Sequence, residues 1–195
     1  MSSRIRFIHG CSDSQHLDIH VKDCKLCNSF AYPDYTDYYD VDHGTLIFKI
    51  CPTKKYHSLF DAYTYAIENS YQTAILSGKG TDLSFYVVAD AYLPISYNTA
   101  YIRFANLAYN SPNLDFTLID TGIILFRDVQ YKEVTDYYGV NPDTYNIRVT
   151  KTGTTQTMIT IHNVNMLPNR FYTIYVLGFT RDGASPQYLV FTDGK

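Results

Sequence analysis

The chain has 195 residues, a formal net charge of −3 and a pI near 6.0. Its lysines and arginines are scattered, so we expect no nucleic-acid partner, because such proteins carry a clustered basic surface. No apolar run approaches the roughly 20 residues that a membrane-spanning helix needs, so we expect no membrane span.

The opening segment MSSRIRFIHG lacks the apolar core of a secretory signal. Either a signal has been removed, or the protein never used that route. We expect the second, so that no secretory signal peptide belongs to this chain.

An internal repeat organises the sequence. Ile5-Arg6-Phe7 reappears as Ile102-Arg103-Phe104, and Thr36-Asp37-Tyr38-Tyr39 reappears as Thr135-Asp136-Tyr137-Tyr138. The order is kept, and a unit of this size suits an independent small domain rather than a solenoid repeat. We therefore predict a tandem duplication.

The boundary between the copies lies near Pro94, which cannot donate to a sheet ladder. We predict one domain at 1–92 that contains all the cysteines, a short linker at 93–98, and a cysteine-free domain at 99–195. The linker is short and partly apolar, which favours a defined relation between the domains.

Alternation with a period of two predicts strands in both copies. The predicted inward-facing sets are Leu17, Ile19 and Val21; Leu46, Phe48 and Ile50; and Tyr145, Ile147 and Val149. Segments 58–69 and 155–165 are also predicted as strands, and turn residues occur at 42–44, 141–143, 151–153 and 181–183. About seven short strands per copy indicate an all-β protein of two Greek-key β-sandwich domains.

The repeated Thr-Asp-Tyr-Tyr phrase is predicted to end one strand and to lead into a tight turn. Strand alternation places one tyrosine of each pair inward and the other outward. Tyrosine combines a large contact area with a polar tip, which suits interfaces. The candidate interface aromatics are therefore Tyr38, Tyr39, Tyr137 and Tyr138.

These patterns resemble a bacterial family known as domain of unknown function 4397. The resemblance rests on Arg-Phe-(Ile/Ala)-(His/Asn), Leu-Asp-(Ile/Phe), the Thr-Asp-Tyr-Tyr phrase, and a strand that ends in Gly78 or Gly178. It covers essentially the whole chain. It implies an immunoglobulin-like or transthyretin-like sandwich on a surface, with no known catalysis.

The four cysteines are Cys11, Cys24, Cys27 and Cys51, and none has a counterpart in the second copy. They are candidates for disulfide cross-links between neighbouring subunits in an oxidising place. Cys24-Lys25-Leu26-Cys27 has the spacing of a zinc knuckle, but no second such pair exists. Idle thiols are the third alternative.

Other chemistry has little support in the sequence. His16, Asp18 and His20 share one strand face, for which a solvated polar surface is favoured over a metal site. No nucleophile elbow and no glycine-rich phosphate loop is present. We expect no enzyme, and we predict no catalytic residue, no cofactor and no metal.

Two functions remain open at this stage. The first is a structural subunit that self-assembles into a fibre or layer on a bacterial cell or spore surface, such as a spore coat or appendage, which it would reach without a secretory signal peptide. Its expected partners are copies of itself, and intermolecular disulfides are the expected covalent links. Tandem sandwiches suit the head-to-tail contacts that give filaments. The alternative is a secreted or cell-surface module that binds carbohydrate or protein through its loops.

Overall fold

Two compact units make up the chain, Met1–Asp90 (unit 1) and Ala91–Lys195 (unit 2). The computed structural model describes residues 2–22, 24–55, 57–80, 82–94, 96–178 and 186–194. The predicted turn at 181–183 lies outside these residues. The placement of the linker at 93–98 stays a prediction.

Unit 1 has eight strands among the described residues, and they form two four-stranded sheets. The first sheet has the order β4-β1-β7-β8, with β1 parallel to β7, and the second has the order β3-β2-β5-β6. The strands are β1 (Ser2–His9), β2 (Leu17–Val21), β3 (Cys24–Phe30), β4 (Tyr39–Asp42), β5 (Gly44–Pro52), β6 (Phe60–Ala66), β7 (Tyr71–Lys79) and β8 (Asp82–Asp90).

Unit 2 repeats this arrangement, with sheets β12-β9-β15-β16 and β11-β10-β13-β14 and with β9 parallel to β15. Its strands are β9 (Ala100–Asn106), β10 (Leu114–Leu118), β11 (Ile124–Val129), β12 (Tyr138–Val140), β13 (Asp143–Lys151), β14 (Thr157–Met166), β15 (Phe171–Leu177) and β16 (Gln187–Asp193). The predicted all-β class with two sandwich domains is confirmed, while the Greek-key connection stays a prediction.

Each unit has its own apolar core between its two sheets. Phe7 of β1 packs edge-on against Phe48 of β5, with ring centroids 5.3 Å apart, and Phe104 packs against Phe116 at 3.9 Å. The predicted inward-facing sets lie in or against these cores. Segment 58–69 contains β6, and segment 155–165 contains β14 except for its last residue, Met166, so both predicted strands are confirmed.

The Thr-Asp-Tyr-Tyr phrase behaves differently from the prediction. It does not end a strand; its second tyrosine is the first residue of β4 in unit 1 and of β12 in unit 2. These edge strands bring the number of strands among the described residues to eight per unit, against about seven predicted. Thr36 fixes the segment that leads into β4, because its amide donates to Phe7 O and its Oγ1 accepts from Phe7 N, both at 3.0 Å. Thr135 makes the same pair of bonds with Phe104.

The repeated glycine has a steric reason. Gly78 has a φ of +128°, and a Cβ at this position would lie 2.1 Å from the backbone oxygen of Asp82. Gly178 has a φ of +105°. Residues with a Cβ rarely adopt φ values in this range, so both copies have glycine at this position.

Candidate functional site

A polar network anchors the first tyrosine of the phrase in unit 1. Tyr38 Oη donates to Asp90 Oδ2 (2.7 Å), and Thr73 Oγ1 donates to the same oxygen (2.6 Å). Arg6 Nε donates to Thr73 Oγ1 (2.7 Å), and Arg6 Nη2 lies 3.6 Å from Asp90 Oδ2. The Arg6 guanidinium also stacks over the Tyr38 ring, 4.8 Å from its centroid. Arg6, Thr73 and Asp90 are buried, so the network connects the three neighbouring strands β1, β7 and β8.

Unit 2 contains the same network at matching positions. Tyr137 Oη donates to Asp193 Oδ2 (2.8 Å), and Thr173 donates to the same oxygen. Arg103 Nε donates to Thr173 Oγ1 (2.8 Å), and its guanidinium lies over Tyr137 at 4.4 Å. The phrase therefore recurs because each sandwich needs this tyrosine for its internal architecture.

The four candidate interface tyrosines lie in unlike environments. Tyr38 and Tyr137 belong to the two networks, and Tyr39 packs against the unit 1 core beside Phe7. Tyr138 is 54% exposed and contacts the edge of Phe126. Of the four, Tyr138 offers the most surface to a partner.

A second feature that both units share is a buried, hydrogen-bonded aspartate in the Leu-Asp motif. Asp18 is only 3% exposed, so the expectation of a solvated face is wrong at this residue. Its carboxylate accepts hydrogen bonds from Lys25 Nζ (2.6 Å), Ser29 N (2.9 Å) and Thr53 Oγ1 (3.0 Å). Burial opposes ionisation, but these donors outweigh it and hold the pKa of Asp18 below its ordinary value.

Asp115 plays this part in unit 2, where it accepts from Asp128 N (2.9 Å), Thr152 Oγ1 (2.9 Å) and Gly153 N (3.3 Å). Its pKa is also lowered, with burial opposing and the hydrogen bonds prevailing. Ser29 and Asp128 both have positive φ, at 53° and 59°. The buried carboxylate therefore satisfies the amide of an irregular residue in the neighbouring strand.

The four cysteines are free thiols and differ in accessibility. Cys11, Cys27 and Cys51 are buried, whereas Cys24 is exposed in an open pocket of about 450 Å³ that Lys22 and Asp42 also line. Burial raises the pKa of Cys11 to about 11 and that of Cys27 to about 12, and it also raises the pKa of Cys51. Since the thiolate is the reactive form, Cys24 is the accessible candidate for a cross-link.

Metal ligation receives no geometric support in the part of the chain that the structure describes. No group of three or more His, Cys, Asp or Glu side chains is placed to hold an ion there. Cys27 points into the unit 1 core and His16 bonds to Ser29 Oγ (3.0 Å). Cys27 and His16 are therefore engaged in other contacts of unit 1.

Sequence reasoning missed an exposed apolar surface on unit 1. Tyr63 and Tyr65 of β6 are 69% and 62% exposed, and Ile47 of β5, directly opposite Tyr63, is 41% exposed. We call Ile47, Tyr63 and Tyr65 the tyrosine face. Alternation in the segment FDAYTYA was the signal, because its small Ala62 and Ala66 enter the core and leave the tyrosines outside.

The fold and its repeated networks define a tandem β-sandwich protein whose recurring motifs serve each unit's own architecture. The chain belongs to the family described as domain of unknown function (DUF4397), whose model matches residues 3–117 and 118–195. No curated protein matches the chain. Among the described residues, no helix has the length and apolar character to cross a membrane.

Proposed function

We propose that this protein is a non-enzymatic structural subunit whose copies assemble into a fibre or layer on a bacterial surface. The observation that carries the proposal is the tyrosine face on an edge strand. A spore coat or appendage is the proposed location, because a tyrosine-rich chain with accessible thiol chemistry resembles spore-coat proteins in composition.

The edge position of β6 makes the tyrosine face suitable for a partner. β6 ends its sheet, so one side of its backbone has no strand neighbour among the described residues of unit 1. Soluble proteins usually protect such an edge with charges or prolines. Here the outward side chains after Asp61 are Tyr63 and Tyr65, and tyrosine is enriched at protein interfaces.

The partner surface that we propose is a different region of a second copy. The matching position in unit 2 is polar, because Asn146 replaces Ile47 and bonds to Asp120 and His162. Among the described residues, the tyrosine face of unit 1 therefore has no apolar counterpart at this position of unit 2. A contact between unlike surfaces that does not close into a ring gives an open filament.

Substitution of both tyrosines should abolish assembly. We expect the double variant Tyr63→Ser/Tyr65→Ser to be monomeric under reducing conditions at concentrations where the native chain forms polymers, because the aromatic contact area is lost. Sedimentation velocity and negative-stain electron microscopy measure this. The matched control is Tyr97→Ser, since Tyr97 is 95% exposed outside any strand; it should assemble normally. A native chain that stays monomeric would refute the proposed function. Assembly by the double variant would instead exclude the tyrosine face as the contact surface between copies.

Cys24 is the proposed site of covalent linkage between assembled copies. Oxidation of the polymers should give ladders on non-reducing gels that collapse on reduction, and Cys24→Ser should remove them because the other thiols are buried. Cys51→Ala is the control and should leave the ladders unchanged. Ladders that persist in Cys24→Ser would show that a buried thiol becomes accessible on assembly.

A further inference from the structure

Unit 2 has an open pocket of about 670 Å³ on the outer side of the sheet β11-β10-β13-β14. Residues of β10 and β13 that line it alternate with the core residues Phe116, Ile147 and Val149 and therefore face away from the core. Two arginines flank it: Arg127 on β11 and Arg148 on β13. Their positive charges define the chemistry of the pocket.

Both guanidinium groups are available to a ligand. Both side chains are exposed, and within the described ranges neither makes a hydrogen bond or an ion pair. Asp115 also lines the pocket; its carboxylate accepts three hydrogen bonds, and its charge also attracts Arg127. Two arginines and one carboxylate leave this lining with an excess of positive charge.

Two hydroxyl groups in the pocket lack partners as well. Thr117 and Thr150 are each only 6% exposed, and their side chains make no hydrogen bond to any residue that the structure describes. Thr117 lies directly opposite Arg148 across the strand pair. Neither oxygen is a buried unsatisfied atom, so both hydroxyls reach the solvent in the pocket and can donate to or accept from a ligand there.

Unit 1 provides an internal comparison. The strand register places His20, Lys49 and Cys51 at the positions of Thr117, Arg148 and Thr150. Lys25, on the neighbouring strand, is bonded to Asp18 at 2.6 Å. The shared fold therefore does not require the arginines and hydroxyls of unit 2, which are an addition to it.

We propose that this pocket binds a sugar unit that carries a carboxylate or a phosphate group. Arginine matches both groups with two parallel hydrogen bonds, and threonine hydroxyls can donate to and accept from sugar hydroxyls. The volume lies in the range of small-ligand sites and exceeds what a single inorganic ion fills. Ile124 is the one apolar side chain among the described lining residues, so an apolar ligand is not favoured.

The test is titration of the full chain with glucuronate, glucose 6-phosphate, glucose and inorganic phosphate, followed by NMR and calorimetry. We expect one or both acidic sugars to bind and to shift resonances of β10 and β13, with weaker binding at higher salt. The relative affinities of the two acidic sugars identify the anionic group. Glucose and inorganic phosphate should each bind at least about tenfold more weakly, because each lacks half of the contacts.

Matched variants separate the two parts of the site. Arg148→Ala should weaken acidic-sugar binding at least about tenfold, whereas Lys49→Ala, its counterpart in unit 1, should have no effect. Thr150→Val keeps the shape and should weaken the acidic sugar but not inorganic phosphate. Urea unfolding of each variant checks the fold.

Absence of acidic-sugar binding, or equal binding of sugar acid and inorganic phosphate with no effect of Thr150→Val, would overturn the proposal. The outcome is independent of the assembly experiment, because the tyrosine face lies on unit 1.

Discussion

Asp90→Ala is expected to destabilise unit 1 by about 3 kcal/mol, the cost of removing one partner from a buried charged network. The carboxylate accepts hydrogen bonds from Tyr38 and Thr73 and lies 3.6 Å from the Arg6 guanidinium. Its removal leaves buried donors without this acceptor, and such donors carry a desolvation cost. Urea denaturation of the full chain, followed by circular dichroism and by tyrosine fluorescence, measures the change.

The matched control is Asp40→Ala on β4. Asp40 also pairs with an arginine, with 3.4 Å between its Oδ1 and Arg4 Nε, but both side chains are exposed. Exposed ion pairs contribute little to stability, so we expect the free energy of unfolding to fall by less than about 1 kcal/mol. Equal losses for Asp90→Ala and Asp40→Ala would show that the buried network does not stabilise the unit more than a surface pair does.

Much of the fold could be predicted from the sequence because its determinants are local. The alternation around Ile19, Phe48 and Ile147 follows the pleat of a strand, and each of these residues lies in a core. The duplication is visible because sequence order is kept. Gly78 and Gly178 mark positions with φ values of +128° and +105°, a region that residues with a Cβ rarely adopt.

The candidate site could be predicted only in part, because its contacts are distant in sequence. Tyr38 meets Asp90 from 52 positions away, so no local pattern connects them. The phrase drew attention to the tyrosines but not to the aspartate that holds the first one. Cys24 differs from the other three thiols because it is exposed and they are buried. The spacing of strands along the sequence does not reveal which end of a hairpin is exposed to solvent. The tyrosine face required the sheet order, which places β6 at an edge.

A pH-dependent loss of stability is expected from His9, which is buried at the end of β1. Burial lowers the pKa of His9 to about 4, against smaller raising contributions from a backbone hydrogen bond and Asp34. Cys11 N donates to its Nδ1 (3.4 Å), and its Nε2 lies 3.0 Å from Ser14 Oγ, so both ring nitrogens have polar neighbours. The folded state therefore favours the neutral ring.

The direction of the pH effect follows from this lowered pKa. The unfolded chain takes up a proton near pH 6.5 and the folded unit only near pH 4, so protonation favours unfolding between these values. The contribution of His9 is fully present above about pH 6.5 and is lost as the pH falls towards 4. Over this range the free energy of unfolding falls by about 3 kcal/mol in total. Urea denaturation at a series of pH values from 7 to 4 measures it.

Unit 2 supplies the variant that isolates this effect. Asn106 occupies the position of His9, donates from Nδ2 to Ser111 Oγ (3.0 Å) and accepts from Ala108 N (3.2 Å), so a neutral amide can hold the same loop. His9→Asn should therefore remain stable at pH 7 and lose most of the pH dependence between 6.5 and 4. His57→Asn is the control, because His57 is exposed, and it should behave as the native chain does. Asp18 and Asp115 titrate below this window because their pKa values are lowered. An unchanged pH profile in His9→Asn would refute the assignment to His9.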